Sequence, residues 1–230
     1  MIIHVLTLFP KMFSGPFDES IIKRAQEKEL VEIKIHNLRD WAVDKHGSVD
    51  DRPYGGGTGM ILRVEPVYNA LKELKKVKIK NSKTILLSPR GETFNQQKAQ
   101  KLSRLDEIIL ICGHYEGFDE RIRNFVDEEI SIGNFVLTGG EIPAMAITDT
   151  IVRLLPGVLK KEEASQIESF SPRLKKLSPK SSNSDSELLI EYPQYTRPEE
   201  FRGLKVPEIL LSGHHQKIEK WQSQHIKKQK

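Results

Sequence analysis

The sequence is poor in the residues that build disulfide frameworks and metal centres. It has one cysteine, Cys112, in 230 residues, which excludes an internal disulfide, and no Cys/His set has zinc-ligand spacing. Long apolar runs are missing too. "IIHVLTLF" (2 to 9) and "EIILIC" (107 to 112) fall far short of the roughly 18 residues a membrane helix needs, and no secretory leader is read ahead of them. A cytoplasmic protein without membrane contact is expected. The common nucleotide signatures are absent as well. "YGGGTGM" (54 to 60) breaks the dinucleotide fingerprint, whose third glycine would fall on Leu62, and it lacks the Gly-Lys-Ser/Thr end of a Walker loop. NAD and ATP enzymes of the usual kinds are disfavoured.

With 37% hydrophobic residues the chain can bury a sizeable core. Net charge is only +4, but the basic residues are uneven: "SPRLKKLSPK" (171 to 180) carries four without an acid, and "HIKKQK" ends the chain with three more. Such runs suit a polyanion or simply a solvated face.

Short stretches rich in β-branched residues at 2 to 9, 31 to 38, 83 to 88, 107 to 112 and 128 to 132 predict strands. Between them, 18 to 30, 64 to 76, 95 to 105 and 119 to 126 space their apolar residues for one helical face, and 141 to 155 reads as the last helix. The alternation predicts an α/β domain with a largely parallel sheet over residues 1 to 160. "KSSNSDSE" (180 to 187) has no apolar anchor and marks a flexible linker over 161 to 190. Short helices broken by Pro198 and Pro207, then an amphipathic helix from about 214, predict a small helical domain over 191 to 230.

Three strands run into polar, glycine-bearing loops: "SPRGE" (88 to 92), "CGHYEG" (112 to 117) and "IGNFVLTGG" (132 to 140). Open α/β sheets bind ligands beyond the carboxyl ends of their strands, so these loops predict one crevice. Gly139 and Gly140 stand where a helix begins; bare backbone there serves either a tight turn or a close-fitting ligand.

"DDRPYGGGTGM", "SPRGE", "CGHYEGFDERI", "SIGNFVLTGGEIPAMAITDTIVRLLPGVL", "YPQYTRP" and "VPEILLSGHHQKIEKW" together resemble the bacterial tRNA (guanine-37 N1)-methyltransferases of the SPOUT superfamily. The blocks occur in the family's order and spacing from the first strand to the last helix. The resemblance implies a deep trefoil knot around the three loops and a homodimer whose active sites are shared between subunits. It implies S-adenosylmethionine in the knot, held by Leu87, Ser88, Gly113, Tyr115, Glu116, Ile132, Gly133, Asn134, Phe135, Val136, Leu137, Gly139 and Gly140. The glycine pair would let backbone approach that cofactor. His46, Asp50, Arg52 and Tyr54 would meet the tRNA guanine and its neighbour. Mg²⁺ is a possible further requirement, with no ligand cluster to mark its site.

Methylation of guanine N1 needs a base, because N1 bears a weakly acidic hydrogen. It also gains from a cation near O6, where negative charge develops. By resemblance these are Glu168 and Arg153. Two departures stand out: the family has Asp where this chain has Glu168, and the basic segment 171 to 187 is long. Position 114, often Arg in the family, is His114. A SPOUT methyltransferase of another target atom, or a degenerate tRNA-binding relative, are the alternatives.

Overall fold

Five parallel strands form the central sheet of a computed structural model that describes residues 1 to 160, 168 to 171, 174 and 188 to 228. They are β1 (Ile2–Thr7), β2 (Glu32–Asn37), β5 (Ser82–Thr93), β6 (Glu107–Cys112) and β7 (Glu128–Ser131), in the order β2-β1-β6-β5-β7. A short antiparallel pair, β3 (Asp50–Asp51) and β4 (Ile61–Leu62), lies outside this sheet. Helices α1 (Ser20–Glu27), α2 (Val64–Leu74), α3 (Gln96–Leu102) and α4 (Glu141–Val152) alternate with the strands.

The apolar residues of the central strands alternate between two cores, as a sheet covered on both faces requires. Ile3, Val5, Ile85, Leu87, Ile108 and Leu110 pack with Ile22, Leu102, Ile147 and Ile151 from α1, α3 and α4. Leu6, Leu86, Ile109 and Ile111 pack with Val67, Ala70 and Leu71 of α2. α4 has its apolar residues all round rather than on one stripe, and six of its twelve residues are buried. Ile142, Ala146 and Asp149 remain exposed on its other side.

Two expectations change. Residues 120 to 125 form a 3-10 helix rather than an α-helix; Asp119 caps it by accepting from Arg121 N, and only Ile122 of the segment is buried. β5 does not end at Ser88 but runs to Thr93. The backbone stays extended through "SPRGE" and pairs again with β7 after a register shift between Leu87 and Glu92. Pro89 falls inside that irregularity, where its missing N–H costs no ladder bond.

The chain divides into two compact units, Met1–Lys160 and Lys161–Lys230. In the second, β8 (Leu189–Ile190) pairs with β11 (Lys227–Lys228) and β9 (Glu200–Phe201) with β10 (Leu204–Lys205), both antiparallel. Helices α5 (Glu208–Leu211) and α6 (His215–His225) lie between these strands in the chain. Helices are present as expected, but the two ladders were not foreseen, since two-residue strands leave no periodic pattern. Leu174, Leu189 and Ile226 form a small core with Tyr192 against it. Most of the expected linker, including the basic segment 175 to 187, lies outside the described residues.

Candidate functional site: a cavity between three strand-end loops

At the carboxyl ends of β5, β6 and β7 the three predicted loops enclose a cavity of about 210 Å³. Leu87, Ser88 and Pro89 come from the first loop, Gly113 to Phe118 from the second, and Ile130 to Gly133 and Phe135 to Gly140 from the third, with Pro143 of α4 completing the lining. Of the thirteen residues expected to hold a cofactor, twelve line it; Asn134 is exposed and does not. No lining side chain is Lys or Arg, so a nucleoside polyphosphate would find no guanidinium or ammonium countercharge here. Leu87, Ile132, Leu137 and Pro143 give apolar walls, and Glu116 gives a carboxylate. That mixture suits a flat, neutral heterocycle carrying hydroxyls and a positive charge.

The loops are fixed by close backbone crossings. Phe94 N donates to Ser131 O at 2.7 Å and Gly140 N to Gly113 O at 2.7 Å. A Cβ on Gly91 would overlap the backbone of Glu129 and Ile130, and one on Gly140 would lie 2.6 Å from Cys112 Cα. A Cβ on Gly139 would run into the side chains of Glu141 and His114. The space a side chain would take at the glycine pair is therefore already filled by the chain itself. Protein neighbours thus need the bare backbone of the glycine pair, and both glycines also line the cavity.

Polar side chains brace the same loops from outside. Ser88 Oγ donates to Glu129 Oε1, which also accepts from Arg123 Nη2 at 2.9 Å. Arg123 reaches Glu120 at 3.0 Å, and Glu120 reaches Arg90 at 3.4 Å. Thr7 Oγ1 donates to buried Glu141 at 2.8 Å. Burial, together with the charge of Glu141, pushes the Cys112 thiol up, so this sulfur is a neutral packing atom. Sequence reasoning missed Thr7, Arg123, Glu129 and Glu141. The acid directly after the glycine pair, in the first turn of α4, was the one available signal; the others become neighbours only through the fold.

The expected substrate residues sit apart from the lining. Asp50 pairs with Leu62 across β3 and β4, and His46, Arg52 and Tyr54 are exposed, Tyr54 completely. The glycine loop they flank is nevertheless tied to the cavity. Glu116 N donates to Met60 O at 3.0 Å, Leu62 N to Gly117 O at 2.9 Å and Asp119 N to Leu62 O at 2.9 Å. Arg153 follows the last residue of α4, with its N donating to Asp149 O. Glu168 belongs to the second unit, in a turn where its carbonyl accepts from Ser171 N and where Phe170, with φ of 67°, donates its N–H to Leu189 O at 2.8 Å. Among the described residues no group of three or more His, Cys, Asp or Glu side chains could hold a metal ion.

A parallel α/β sheet with its cavity built from interlocked strand-end loops defines a class of ligand-binding fold, and the comparisons place the chain within it. The family model described as tRNA (Guanine-1)-methyltransferase TrmD matches residues 1 to 230, and the chain belongs to that family. It is 56% identical over 218 residues to a tRNA (guanine-N(1)-)-methyltransferase of Citrifermentans bemidjiense, covering 94% of this chain and 81% of the relative. A Staphylococcus carnosus protein with the same description is 51% identical over 222 residues, covering 96% and 84%. The crystal structure of a tRNA (m1G37) methyltransferase from Aquifex aeolicus superposes with a TM-score of 0.76 at 42% identity, covering 96% of this chain and 87% of that one.

Proposed function

We propose that the protein transfers a methyl group from S-adenosylmethionine to N1 of guanine 37 in tRNA, beside the anticodon. The observation that carries this is the cavity: three loops of a family member converge on a site with apolar walls, one carboxylate and no Lys or Arg side chain. Bound there, S-adenosylmethionine supplies an electrophilic methyl group on a positively charged sulfur. Leu87, Ile132, Leu137 and Pro143 would enclose its adenine and exclude water. The carboxylate of Glu116 would favour the cationic end.

Guanine N1 must lose its hydrogen to become nucleophilic. We assign the base to Glu168, a carboxylate one methylene longer than the family's aspartate, and the cation facing the developing charge on O6 to Arg153. The two residues belong to different compact units, which is in keeping with a homodimer in which each site draws on two subunits. The crossings at Gly91 and Gly140 are the contacts expected where a chain threads its own loop, and we read them as part of a trefoil knot. His46, Asp50, Arg52 and Tyr54, on a loop tied to the cavity wall, would take the extruded guanine and its neighbour. No residue is assigned to Mg²⁺. No described helix is long and apolar enough to cross a membrane, and the cytoplasm, where tRNA matures, is the proposed location.

The test is methyl transfer from labelled donor to paired tRNA transcripts with guanine or adenine at position 37. Transfer confined to the guanine transcript is expected; equal transfer to both would move the target atom elsewhere. Glu168→Gln should lower turnover on the order of 10²- to 10⁴-fold while leaving donor binding intact, and activity that survives it would overturn the base assignment.

A further inference from the structure

Behind the glycine pair lies a buried polar chain that the reaction above does not use. Glu141 is 1% exposed. Its Oε1 accepts from Thr7 Oγ1 at 2.8 Å, and Oε2 faces His114 Nδ1 at 3.8 Å. That nitrogen is buried and has no hydrogen-bond partner. The imidazole is flanked by the rings of Phe9 and Tyr115, with centroids 4.7 and 4.8 Å away, while Phe9 N donates to Thr7 Oγ1 at 2.9 Å. His114 bridges Gly139 through backbone, and Gly140 N bonds to Gly113 O. Glu141 thus stands where the end of β1 and two of the three cavity loops meet.

A carboxylate at this depth is costly unless it is hydrogen-bonded or paired. The Thr7 hydroxyl serves one oxygen, and the amino end of α4 favours negative charge. The other oxygen has His114 in front of it, too far for a hydrogen bond and within range of an ion pair.

We infer that Glu141 and His114 are positioning residues of the methyl-donor cavity: the Glu141 carboxylate, bonded to Thr7 and facing His114 Nδ1, holds the 113–118 loop onto the Gly139–Gly140 turn. This rests on the donor-site reading given above.

The experiment is calorimetric titration of the full-length protein with S-adenosylhomocysteine, the demethylated donor. Glu141→Gln keeps the Thr7 bond without the charge and should lower affinity on the order of five- to tenfold. His114→Arg places a fixed cation before the carboxylate and should bind at least as tightly as wild type, while His114→Gln should bind as weakly as Glu141→Gln. The effect should fall on donor KM rather than on kcat at saturating donor, which general loosening of the fold would not produce. Wild-type affinity in both Glu141→Gln and His114→Gln overturns the inference. Failure of wild type to bind S-adenosylhomocysteine would instead remove the donor-site reading on which it stands.

Discussion

The chain uses glycine for opposite reasons in two places. At Gly55, Gly56 and Gly57 φ is 87°, 82° and 132°, and a Cβ would meet open space or, at Gly57, an ordinary contact with Pro53. At Gly140 φ is −82°, which any residue adopts, yet a Cβ would lie 2.6 Å from Cys112 Cα and 2.8 Å from Gly113 N. The first loop needs conformational freedom, and the second needs absence of volume. Both read as glycine-rich loops between strand and helix, so composition alone could not separate a loop shaped to present side chains from one shaped to let two segments touch.

The widest separation should come from Gly140→Ala. The obstructing atoms are backbone, which cannot rotate away, so loop 113–118 or the start of α4 must move. Overpacking of this kind costs about 1–3 kcal/mol, and here the upper end is expected, with loss of donor binding on top. Denaturant titration and donor affinity measured on the same sample check it; a variant with wild-type midpoint and affinity would show that the two loops are less closely coupled than their contact implies.

A fall in pH perturbs the sheet through a residue that does not line the cavity. His4 lies on β1, 7% exposed, with its Nδ1 2.8 Å from His36 Nε2 and its Nε2 3.4 Å from Glu107. Burial first, then the neighbouring charges of His36 and Lys34, lower its pKa from 6.5 to about 4. A depressed histidine pKa means that the unfolded chain binds the proton more readily, so stability falls as pH drops from about 6.5 towards 4. Burial raises the Glu107 carboxyl, which opposes the trend above its ordinary range. Between pH 7 and 5 a loss of about 2 kcal/mol is expected, flattened in His4→Gln. Such a loss shared by Gly140→Ala and wild type would separate global stability from the local effect of the glycine.

Much of this was legible in the sequence because it was periodic or contiguous. The five central strands and the helix of residues 64 to 74 follow from apolar spacing, and the three loops of the cavity follow from where those strands end. What was not legible depends on pairs distant in the chain. Thr7 and Glu141 are 134 residues apart, and Ser88 and Glu129 are 41 apart; nothing local marks either as half of a contact. The 3-10 turn at 120 to 125 was misread because its apolar residues, Ile122, Phe125 and Val126, fit helical spacing although only Ile122 is buried.

The smallest effect should be Gly56→Ala. Nothing obstructs the added methyl group, and the penalty is the left-handed backbone alone, about 1–2 kcal/mol for one non-glycine residue. An exposed loop can relieve part of that by relaxing, so the change in global stability should fall below 1 kcal/mol, with donor affinity unchanged. Any cost should surface in tRNA handling, because the altered conformation would redirect Arg52 and Tyr54. The expected signature is a raised KM for tRNA beside a wild-type KM for donor, the reverse of the pattern at Gly140. If donor binding weakens as well, the hydrogen bond from Glu116 N to Met60 O transmits strain from the glycine loop into the cavity wall, and the two regions act as one unit.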